Sequence, residues 1–508
     1  MKLDELFIKM RELCGGANPV RMAGRPDPMP DVLALRYDSR KVTPGSGIIY
    51  ACVRGERVDG HNFAADAARS GAVALLCDHP LPLDAPQIIA ENVRFAMGEV
   101  SAVLRGNPSE KLRMIGVTGT NGKTTTAYIT RSIMRAGGIA TGMIGTVVYD
   151  DCVFEVPADR TTPEGPDIQD MLARMAEAGA ECCVMEASSH GLEQGRLAGC
   201  KFDAVGFGNL TPEHLEFHGS MEKYFAAKRR LFAEYTKAGW TGSANADDEY
   251  GRLLLGEFPG QVRPFTADAA PEFPGAYAAS GVSSSAEGMT FELAFPDGES
   301  CRIESPLIGG YNVSNILEAA ALADSLGVSR ESIIRGVSRC PQVPGRLERY
   351  TLGNGVRVFV DFAHSSDGME KMLSALYPLK ERDLCVLWGA GGERTPLKRP
   401  AVGSIMAKYA DYIIISTDNP RSESPEAIAR DVESGVISGG GESRYGIILD
   451  RKEAIYRALD GASPGDIVVI AGKGPESYID YGTHRMPFSD SGTVLEWAAE
   501  RGVGMRDS

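Results

Sequence analysis

This 508-residue sequence lacks long apolar runs, a C-x-x-C motif and an excess of basic residues. No apolar run approaches the roughly 18 residues of a membrane span, so we expect no membrane-spanning segment. The net charge of −15 argues against a nucleic-acid or anionic-membrane surface, because either surface needs basic residues. The ten cysteines are scattered without a C-x-x-C pair, which favours reduced thiols over a zinc or disulfide framework. The first residues, MKLDELFIKMREL, carry acids and do not resemble a secretory signal. We expect a cytoplasmic protein.

A chain of this length exceeds one hydrophobic core, and alternating apolar strands and helical stretches predict three α/β domains. Clusters of turn-forming residues at Gly106–Ser109 and Pro341–Gly345 mark the expected boundaries. The predicted domains therefore span residues 1–108, 109–340 and 341–508. In the first domain we expect strands near Val32–Leu35, Gly47–Ala51 and Ala72–Leu76.

The stretch Leu112–Ala136 predicts a strand, a glycine-rich turn and the start of a helix. Such a helix start attracts phosphate, Lys123 would neutralise phosphate charge, and the Thr124 hydroxyl would ligate Mg²⁺. The strict pattern G-x-x-x-x-G-K-[ST] requires glycine where Val117 stands, so this loop is a variant. An ordinary glycine-rich turn is the alternative. The coincidence of strand, loop, Lys-Thr pair and helix favours nucleotide binding.

Further polar residues follow the predicted strands of the central domain. The apolar strand Glu181–Glu186 ends on a carboxylate, which in a P-loop protein is the place for a magnesium ligand. The alternative is a solvated glutamate. Downstream, His214 and His218 flank Glu216, and Lys228 lies among apolar residues of a predicted helix. This spacing is not that of a zinc protease, and the residues alone slightly favour a structural role. The segments Met289–Phe295 and Cys301–Ile303 predict a hairpin.

Four short apolar strands in the third domain predict a Rossmann-like parallel sheet, whose carboxyl ends bind ligands. They are Val358–Val360, Leu384–Leu387, Tyr412–Ile415 and Ile467–Ile470. The loops that follow are Asp361–His364, Gly389–Arg394, Asp418–Arg421 and Gly472–Glu476. The sequence GAGGER lacks the third glycine of G-x-G-x-x-G, so we do not expect NAD. In the DNPR segment, Pro420 fixes a turn and Arg421 suits a substrate carboxylate, unless it only pairs with a local aspartate.

Together these motifs resemble the Mur ligases, the ATP-dependent amide-forming enzymes of peptidoglycan precursor synthesis. The matching segments are GTNGKTT (Gly119–Thr125), MEASSHGLEQGR (Met185–Arg196), NLTPEHLEFHG, AAKRRLF, YNVSN (Tyr311–Asn315), PGRLE (Pro344–Glu348) and DFAH (Asp361–His364). In the first domain, YDSRKVTPG and RGERVDGHNF resemble the uridine-nucleotide domain of the members that add a diamino acid.

The resemblance implies a fold and a reaction. The expected fold is α/β, with an amino-terminal uridine-nucleotide-binding domain, a central P-loop ATPase domain on a parallel sheet, and a carboxyl-terminal Rossmann-like domain that binds the amino acid. The implied enzyme is a monomer that adds meso-diaminopimelate to UDP-MurNAc-L-Ala-D-Glu. ATP is the co-substrate, and the intermediate is an acyl phosphate.

The resemblance also assigns roles to individual residues. The implied catalytic residues are Lys123, Lys228 and His214. Two Mg²⁺ ions are implied, held by Thr124, Glu186, His214 and a carbamylated Lys228. The implied ATP contacts are Gly119, Thr120, Asn121, Gly122, Lys123, Thr124, Thr125, Asn315, Arg346 and Asp361. The implied UDP-sugar contacts are Tyr37, Ser39, Thr161, Thr162, Ser188, Gln194 and Arg196. The implied diaminopimelate contacts are Arg394, Asp418, Asn419, Pro420, Arg421, Gly472 and Glu476.

Arg421 decides the expected amino acid, because its guanidinium matches the second carboxylate of meso-diaminopimelate and would be unpaired over lysine. The sequence departs from the family pattern at Pro475, where many diaminopimelate-adding members have histidine, and at Pro212-Glu213, where Arg-Asp is frequent. The nearest alternative is the same ligase adding L-lysine. More distant alternatives are MurF, a folylpolyglutamate synthetase, or a P-loop ATPase that makes no amide.

Overall fold

The computed structural model describes residues 1–508 except 16–17, 56–57, 269–272, 394, 397 and 507–508. The chain divides into two compact units. The first consists of Met1–Phe265 and Glu318–Gly336, and the second of Thr266–Leu317 and Val337–Ser508. The three domains predicted from the sequence, with boundaries at residues 108 and 340, divide the chain differently from these two units and stay a prediction.

The first unit contains two sheets and the helices that cover them. Its strands are β1 (Val20–Ala23), β2 (Ala34–Arg36), β3 (Ile48–Ala51), β4 (Ala74–Cys77), β5 (Gln87–Ala90), β6 (Arg113–Thr118), β7 (Thr141–Ile144), β8 (Val148–Asp150), β9 (Glu155–Pro157), β10 (Cys182–Glu186), β11 (Phe202–Phe207), β12 (Thr236–Asn245) and β13 (Val262–Thr266). Its helices are α1 (Leu3–Cys14), α2 (Ala64–Arg69), α3 (Val93–Leu104), α4 (Lys123–Ala136), α5 (Gly165–Glu177), α6 (Ser189–Glu193), α7 (Leu215–His218), α8 (Met221–Ala233) and α9 (Glu249–Glu257), with 3₁₀ turns at Ser39–Lys41, Gly60–Phe63 and Pro108–Glu110.

The amino-terminal sheet has the strand order β1-β5-β4-β3-β2. All its neighbours are parallel except β1 and β5, which are antiparallel. Helices α1 and α3 contact one another beside it, around the buried residues Leu6, Ile49 and Met97. The three predicted strands are present, but β2 begins at Ala34 and not at Val32, and β4 begins at Ala74 and not at Ala72.

The central sheet of the first unit places β6 between β10 and β11, and both pairings are parallel. Within this unit the order is β13-β12-β11-β6-β10-β7-β8-β9. Glu186 at the end of β10 is in register with Val117, and Phe207 at the end of β11 is in register with Thr118. The carboxyl ends of three parallel strands therefore meet beside the glycine-rich loop, as the sequence predicts.

The second unit contains an antiparallel meander, a six-stranded sheet and a small hairpin. Its strands are β14 (Tyr277–Ser284), β15 (Met289–Ala294), β16 (Ser300–Ser305), β17 (Glu348–Thr351), β18 (Arg357–Asp361), β19 (Leu384–Trp388), β20 (Tyr412–Ile415), β21 (Tyr445–Ile447), β22 (Ile467–Ala471), β23 (Tyr478–Asp480) and β24 (Arg485–Pro487). Helices α10 (Tyr311–Ser325) and α11 (Arg330–Ser338) each contribute residues to both units. The remaining helices are α12 (Ser366–Leu376), α13 (Lys398–Tyr409), α14 (Pro425–Ser438), α15 (Arg451–Gly461) and α16 (Asp490–Glu500), with a 3₁₀ turn at Tyr377–Leu379.

The six-stranded sheet has the order β17-β18-β22-β19-β20-β21 and is parallel except for β17. All four predicted strands are present at its centre, and the predicted hairpin is β15 paired antiparallel with β16. The α/β fold class is confirmed. Among the described residues, no helix combines the length and the apolar character needed to cross a bilayer.

A buried ion pair connects two helices of this unit to the ends of its central strands. Arg451 and Asp490 are completely buried, and their charged atoms lie 2.7 Å apart. The same guanidinium donates to the carbonyl oxygens of Thr417, at 3.2 Å, and Ala471, at 3.0 Å. Arg451 therefore fixes the backbone that leads into two of the predicted ligand-binding loops.

Replacing Arg451 with leucine is expected to lower the free energy of unfolding of this unit by about 3–5 kcal/mol, because Asp490 would be left buried and unpaired. Urea unfolding followed by fluorescence checks this, since Trp388 and Trp497 both lie in this unit. Arg501→Leu is the matched control, because Arg501 pairs with Asp460 where both side chains are largely exposed. An unfolding midpoint of Arg451→Leu equal to that of the control would contradict the prediction.

Candidate functional site

The glycine-rich loop between β6 and α4 wraps around a lysine. Gly119 has φ of 153° and Gly122 has φ of 89°, conformations that favour glycine because it has no Cβ. The Lys123 ammonium donates to the carbonyl oxygens of Gly119, at 3.0 Å, and Thr120, at 2.8 Å. Asn209, just after β11, accepts from the backbone amides of Thr120, at 2.8 Å, and Asn121, at 3.0 Å. The loop is held in shape at the amino end of α4, where an anion is stabilised.

Glu186 connects this helix to the neighbouring strands. Its side chain accepts from the Thr124 hydroxyl, at 3.0 Å, and from the amide and hydroxyl of Thr146, at 2.8 and 2.9 Å. Glu186 is 1% exposed. A buried carboxylate with a hydroxyl beside it is a set of hard oxygen donors, which suits Mg²⁺. The residues present therefore fit the metal that the sequence predicts.

Lys228, on α8, is a second buried lysine at the same loop. It is 1% exposed, and its ammonium donates to the Gly119 carbonyl oxygen at 2.6 Å and lies 4.7 Å from the centre of the Tyr224 ring. Burial, and then the positive charge of Lys123, lower the pKa of Lys228 well below its usual value. No described carboxylate forms an ion pair with it. Two lysine side chains thus contact one carbonyl oxygen.

The predicted histidine belongs to an aromatic cluster beside α6 and α8. The His214 ring lies edge-on to His190, with ring centres 4.7 Å apart, and its Nδ1 is 3.9 Å from Glu216. The His218 ring is buried against Tyr224 with ring centres 4.9 Å apart. Burial, and then the charge of Lys228, lower the pKa of His218. His214 has a positive φ of 56°, which directs the chain into α7.

An open cleft in the same unit contains most of the predicted UDP-sugar residues. Its volume is about 1040 Å³, and Tyr37, Ser39, Gln194 and Arg196 line it. The Tyr37 hydroxyl donates to Asp167 at 2.5 Å. Burial, and then the charge of Asp167, raise the pKa of Tyr37, so the phenol stays protonated.

A chain of hydrogen bonds connects this cleft to Glu186. Thr162 donates to the Glu186 carbonyl oxygen at 2.8 Å and accepts from the Ser188 amide at 3.0 Å. The Thr162 carbonyl oxygen in turn accepts from Arg196 at 3.0 Å, and the Thr161 hydroxyl lies 3.1 Å from that of Thr146. Four of the predicted UDP-sugar residues are therefore linked to the end of β10, namely Thr161, Thr162, Ser188 and Arg196.

The cleft also contains arginines that the sequence analysis did not identify. Arg94, on α3, and Arg160 surround the buried carboxylate of Glu164 together with Arg196. Arg40 also lines the cleft and pairs with Asp38. The Nε atoms of Arg94 and Arg196 are buried without a hydrogen-bond partner. No motif marks Arg94, because its position in the cleft depends on the packing of α3.

The second unit brings four of the predicted amino-acid residues together. The Asn419 amide donates to Glu476 at 2.7 Å, and the Lys473 ammonium lies 2.9 Å from Asp418 and 3.2 Å from Glu476. Lys473 is completely buried and was not predicted, although it stands inside the predicted segment Gly472–Glu476. Gly472 has φ of 105° and lies against the Trp388 indole. Lys473 neutralises two of the carboxylates that face the site.

Arg421 adopts a left-handed conformation with φ of 53° after Pro420. Its guanidinium donates to the Gly392 carbonyl oxygen at 2.6 Å, in the loop that follows β19. No described ion pair joins it to an aspartate, in contrast to the alternative of a purely local pairing. Arg394 lies outside the described residues. Pro475, the departure from the family pattern, packs against Gly345.

The other predicted ATP residues, Asn315, Arg346 and Asp361, lie in the second unit. Asp361 ends β18 and accepts from the amides of Leu347 and Ala363, both at 2.7 Å. Burial raises the pKa of Asp361, and the nearby charge of Arg346 opposes that shift. The Arg346 guanidinium lies 4.9 Å from the centre of the Phe362 ring. The Asn315 amide donates to Asn312 at 2.7 Å, near the start of α10.

The fold and these sites define a class, the P-loop α/β proteins in which a further, mostly parallel sheet carries polar loops at the carboxyl ends of its strands. Comparison with known proteins is more specific. Residues 117–323 match the Mur ligase middle domain, residues 345–474 match the Mur ligase glutamate ligase domain, and residues 32–107 match the Mur ligase family catalytic domain. The chain belongs to the Mur ligase family.

Named relatives cover nearly the whole chain. The UDP-N-acetylmuramoyl-L-alanyl-D-glutamate–2,6-diaminopimelate ligase of Geobacillus kaustophilus is 39% identical over 93% of this chain and 96% of its own length. The protein of the same name from Chlorobaculum tepidum is 40% identical over 90% of this chain and 91% of its own length. A solved structure of a ligase of that name matches with a TM-score of 0.66 and 30% identity, over 99% of this chain and all of its own.

Replacing Lys123 with methionine is expected to weaken binding of a non-hydrolysable Mg–ATP analogue at least about tenfold, because a charged contact to phosphate is lost. Isothermal titration calorimetry measures this directly. Lys223→Met, an exposed lysine on α8, is the matched control. Equal affinity of the two variants would contradict the placement of the phosphates at this loop.

Proposed function

We propose that this protein joins meso-diaminopimelate to UDP-MurNAc-L-Ala-D-Glu with hydrolysis of ATP, a step of peptidoglycan precursor synthesis in the cytoplasm, and that it acts as a monomer. The observation that carries the proposal is the convergence of Lys123, Lys228 and Glu186 on the phosphate loop. Relatives that are 39% identical over 93% of the chain are named as ligases of these substrates, which supports the choice.

The arginine-lined cleft supports the nucleotide substrate. A nucleoside diphosphate carries adjacent negative charges, and guanidinium groups bind phosphate oxygens in pairs. Arg94, Arg160 and Arg196 supply such groups, while Tyr37 and Phe63 supply ring surface for a base or sugar. The hydrogen bonds from Arg196 through Thr162 to Glu186 connect this cleft to the phosphate loop. A substrate seated in the cleft would direct its peptide carboxylate toward that loop.

The first chemical step joins two anions. A carboxylate oxygen of the D-Glu residue attacks the γ-phosphorus of ATP, and the bond between that phosphorus and the β-phosphate oxygen breaks. ADP departs, and the substrate carboxylate has become an acyl phosphate. Lys123 offsets the repulsion between carboxylate and triphosphate. When bound, Mg²⁺ would supply further charge neutralisation, held by Thr124 and Glu186, with His214 and a carbamylated Lys228 holding a second ion. Family resemblance alone supports the part of His214.

The second step forms the amide. The amine of the incoming amino acid attacks the acyl carbon, the tetrahedral intermediate collapses, and phosphate leaves while the nitrogen loses a proton. The amino acid is proposed to bind at Asp418, Asn419, Glu476 and Arg421. Arg421 suits the carboxylate at the far end of meso-diaminopimelate, and Glu476 suits the ammonium there. Lysine lacks that carboxylate and would leave the guanidinium without its anionic partner.

The substrate choice is tested with purified protein, ATP and UDP-MurNAc-L-Ala-D-Glu, offering meso-diaminopimelate or L-lysine separately. Phosphate release and the mass of the amide product are measured. We expect product with diaminopimelate and little with lysine. Preference for lysine would still support an amide ligase but would overturn the role proposed for Arg421. Phosphate release without amide product would indicate a P-loop ATPase of another kind.

Arg421→Ala is expected to lower kcat/KM for diaminopimelate by about 10²-fold or more, because a bidentate charged contact is lost, and to change lysine turnover little. Arg430→Ala, an exposed arginine on α14, is the matched control. Equal losses with both amino acids would assign Arg421 to the shape of the loop and not to recognition of the far carboxylate.

Lys228 is expected to act as a carbamate, because a buried ammonium beside Lys123 adds repulsion, whereas a carbamate is an oxygen ligand for Mg²⁺. Removing CO₂ should therefore lower activity and added bicarbonate should restore it. Lys228→Ala should be inactive and insensitive to bicarbonate, with partial rescue by formate or acetate. Full activity of Lys228→Ala at low CO₂ would contradict the carbamate.

A further inference from the structure

Two of the seven histidines meet beyond the carboxyl ends of β3 and β4, two inner strands of the amino-terminal sheet. Among the described residues, His61, Asp78 and His79 form a group whose ligand atoms all lie within 4.8 Å of one another. His61 lies in the 3₁₀ turn after β3, and the other two directly follow β4. The two imidazole rings stack with their centres 4.8 Å apart, and Asp78 contacts both rings.

The second ring nitrogen of His61 has no hydrogen-bond partner. The His61 side chain is 7% exposed, and its Nδ1 bonds to Asp59 at 2.6 Å. Its Nε2 is buried and unpartnered, although an Asp78 oxygen is only 3.2 Å away. If the neutral ring carries its proton on Nδ1, facing Asp59, a lone pair on Nε2 lies beside the Asp78 carboxylate oxygen. Either a proton on Nε2 or a metal cation between the two atoms removes the repulsion of that arrangement.

One ligand distance and one outer contact agree with a metal site. In a tetrahedral site with bonds of 2.0–2.1 Å, neighbouring ligand atoms lie about 3.3 Å apart, and His61 Nε2 lies 3.2 Å from Asp78 Oδ1. His79 Nδ1 contacts the same oxygen at hydrogen-bond distance, so an ion would bind once the half-exposed His79 ring turns away from that oxygen. Metal-bound histidines usually donate their other N–H to a carboxylate, and His61 Nδ1 lies 2.6 Å from an Asp59 oxygen that can accept such a bond.

Arg54 is the one described cation that faces Asp78. Its Nε lies 2.8 Å from one carboxylate oxygen, and a terminal nitrogen donates to the other at 3.3 Å. The Arg54 side chain is 61% exposed, so its terminal nitrogen can move away from Oδ1 of Asp78 while its Nε keeps its contact with the outer oxygen, Oδ2. The inner oxygen, Oδ1, is the one that both histidines approach.

We propose that His61 Nε2, Asp78 Oδ1 and His79 Nδ1 bind a borderline divalent metal ion such as Zn²⁺, with water as the fourth ligand. Two imidazoles and one carboxylate suit zinc or cobalt better than Mg²⁺, which prefers oxygen. The ion joins the turn after β3 to the end of β4. Because Gly60, next to His61, lines the arginine-lined cleft, the ion also holds one rim of that cleft.

Cobalt is the probe, since tetrahedral Co²⁺ with nitrogen ligands absorbs visible light. The full-length protein is stripped with chelator, supplied with excess Mg²⁺ to fill oxygen-rich sites, and titrated with Co²⁺ and then Zn²⁺. We expect one equivalent of Co²⁺ with visible absorption, displaced by Zn²⁺. His79→Ala should lose this equivalent, and Asp59→Asn should weaken it about 10- to 100-fold. The His79 side chain is 49% exposed, so its removal does not threaten folding.

Matched variants separate this site from the others. His484→Ala, an exposed histidine on another unit, should bind Co²⁺ as the unchanged protein does, and Arg54→Ala should bind it at least as tightly. The proposal would be overturned if no Co²⁺ with visible absorption is bound. It would also be overturned if His79→Ala still binds that Co²⁺, or if His214→Ala is the one variant that loses it. The ligase activity proposed above is measured separately in Mg²⁺, so failure of either proposal is distinguishable from failure of the other.

Discussion

Two lysine side chains converge on the carbonyl oxygen of Gly119, and the rest of the central site depends on this contact. Lys123 reaches it from the helix that follows the loop, at 3.0 Å, and Lys228 reaches it from α8, at 2.6 Å. Two ammonium groups so close repel each other, and burial strengthens the repulsion. Loss of the Lys228 proton relieves the repulsion, in keeping with the lowered pKa of Lys228, and so does nearby negative charge, which a triphosphate or a carbamate on Lys228 would supply. The same concentration of charge is what transfer of a phosphoryl group to a carboxylate requires.

The surrounding scaffold positions this charge. β6 lies between β10 and β11 in parallel, so the phosphate loop, Glu186 and Asn209 follow the ends of adjacent strands. Glu186 is bonded to Thr124 and Thr146, and through Thr162 it is connected to the arginine-lined cleft. In the second unit, the buried Arg451 and Lys473 hold the loops after β20 and β22. Both units thus use buried cations to shape loops at the carboxyl ends of parallel strands.

Much of this was predictable from the sequence, because short apolar strands followed by glycine or charged residues are a local signal. The phosphate loop, Glu186 and the four strands of the third domain were located in this way. The starts of β2 and β4 were each predicted two residues too early, because apolar residues precede both strands. Arg94 and Lys473 were missed, since their roles arise from packing between distant segments. The contact of Arg421 with Gly392 depends on a left-handed conformation that the DNPR segment does not reveal. The roles of the individual site residues stay predictions, and Arg394 lies outside the described residues.

The central claim is that the site formed by the phosphate loop, Glu186 and the two lysines promotes transfer of the γ-phosphoryl group of ATP to a substrate carboxylate. The most direct test uses UDP-MurNAc-L-Ala-D-Glu labelled with ¹⁸O in the D-Glu carboxylates, together with ATP and meso-diaminopimelate. Mass spectrometry of the released phosphate then follows the oxygen. The account predicts one ¹⁸O atom in each phosphate, because the carboxylate oxygen that attacks phosphorus leaves with it. Amide product accompanied by unlabelled phosphate would contradict an acyl phosphate and the chemistry assigned to this site.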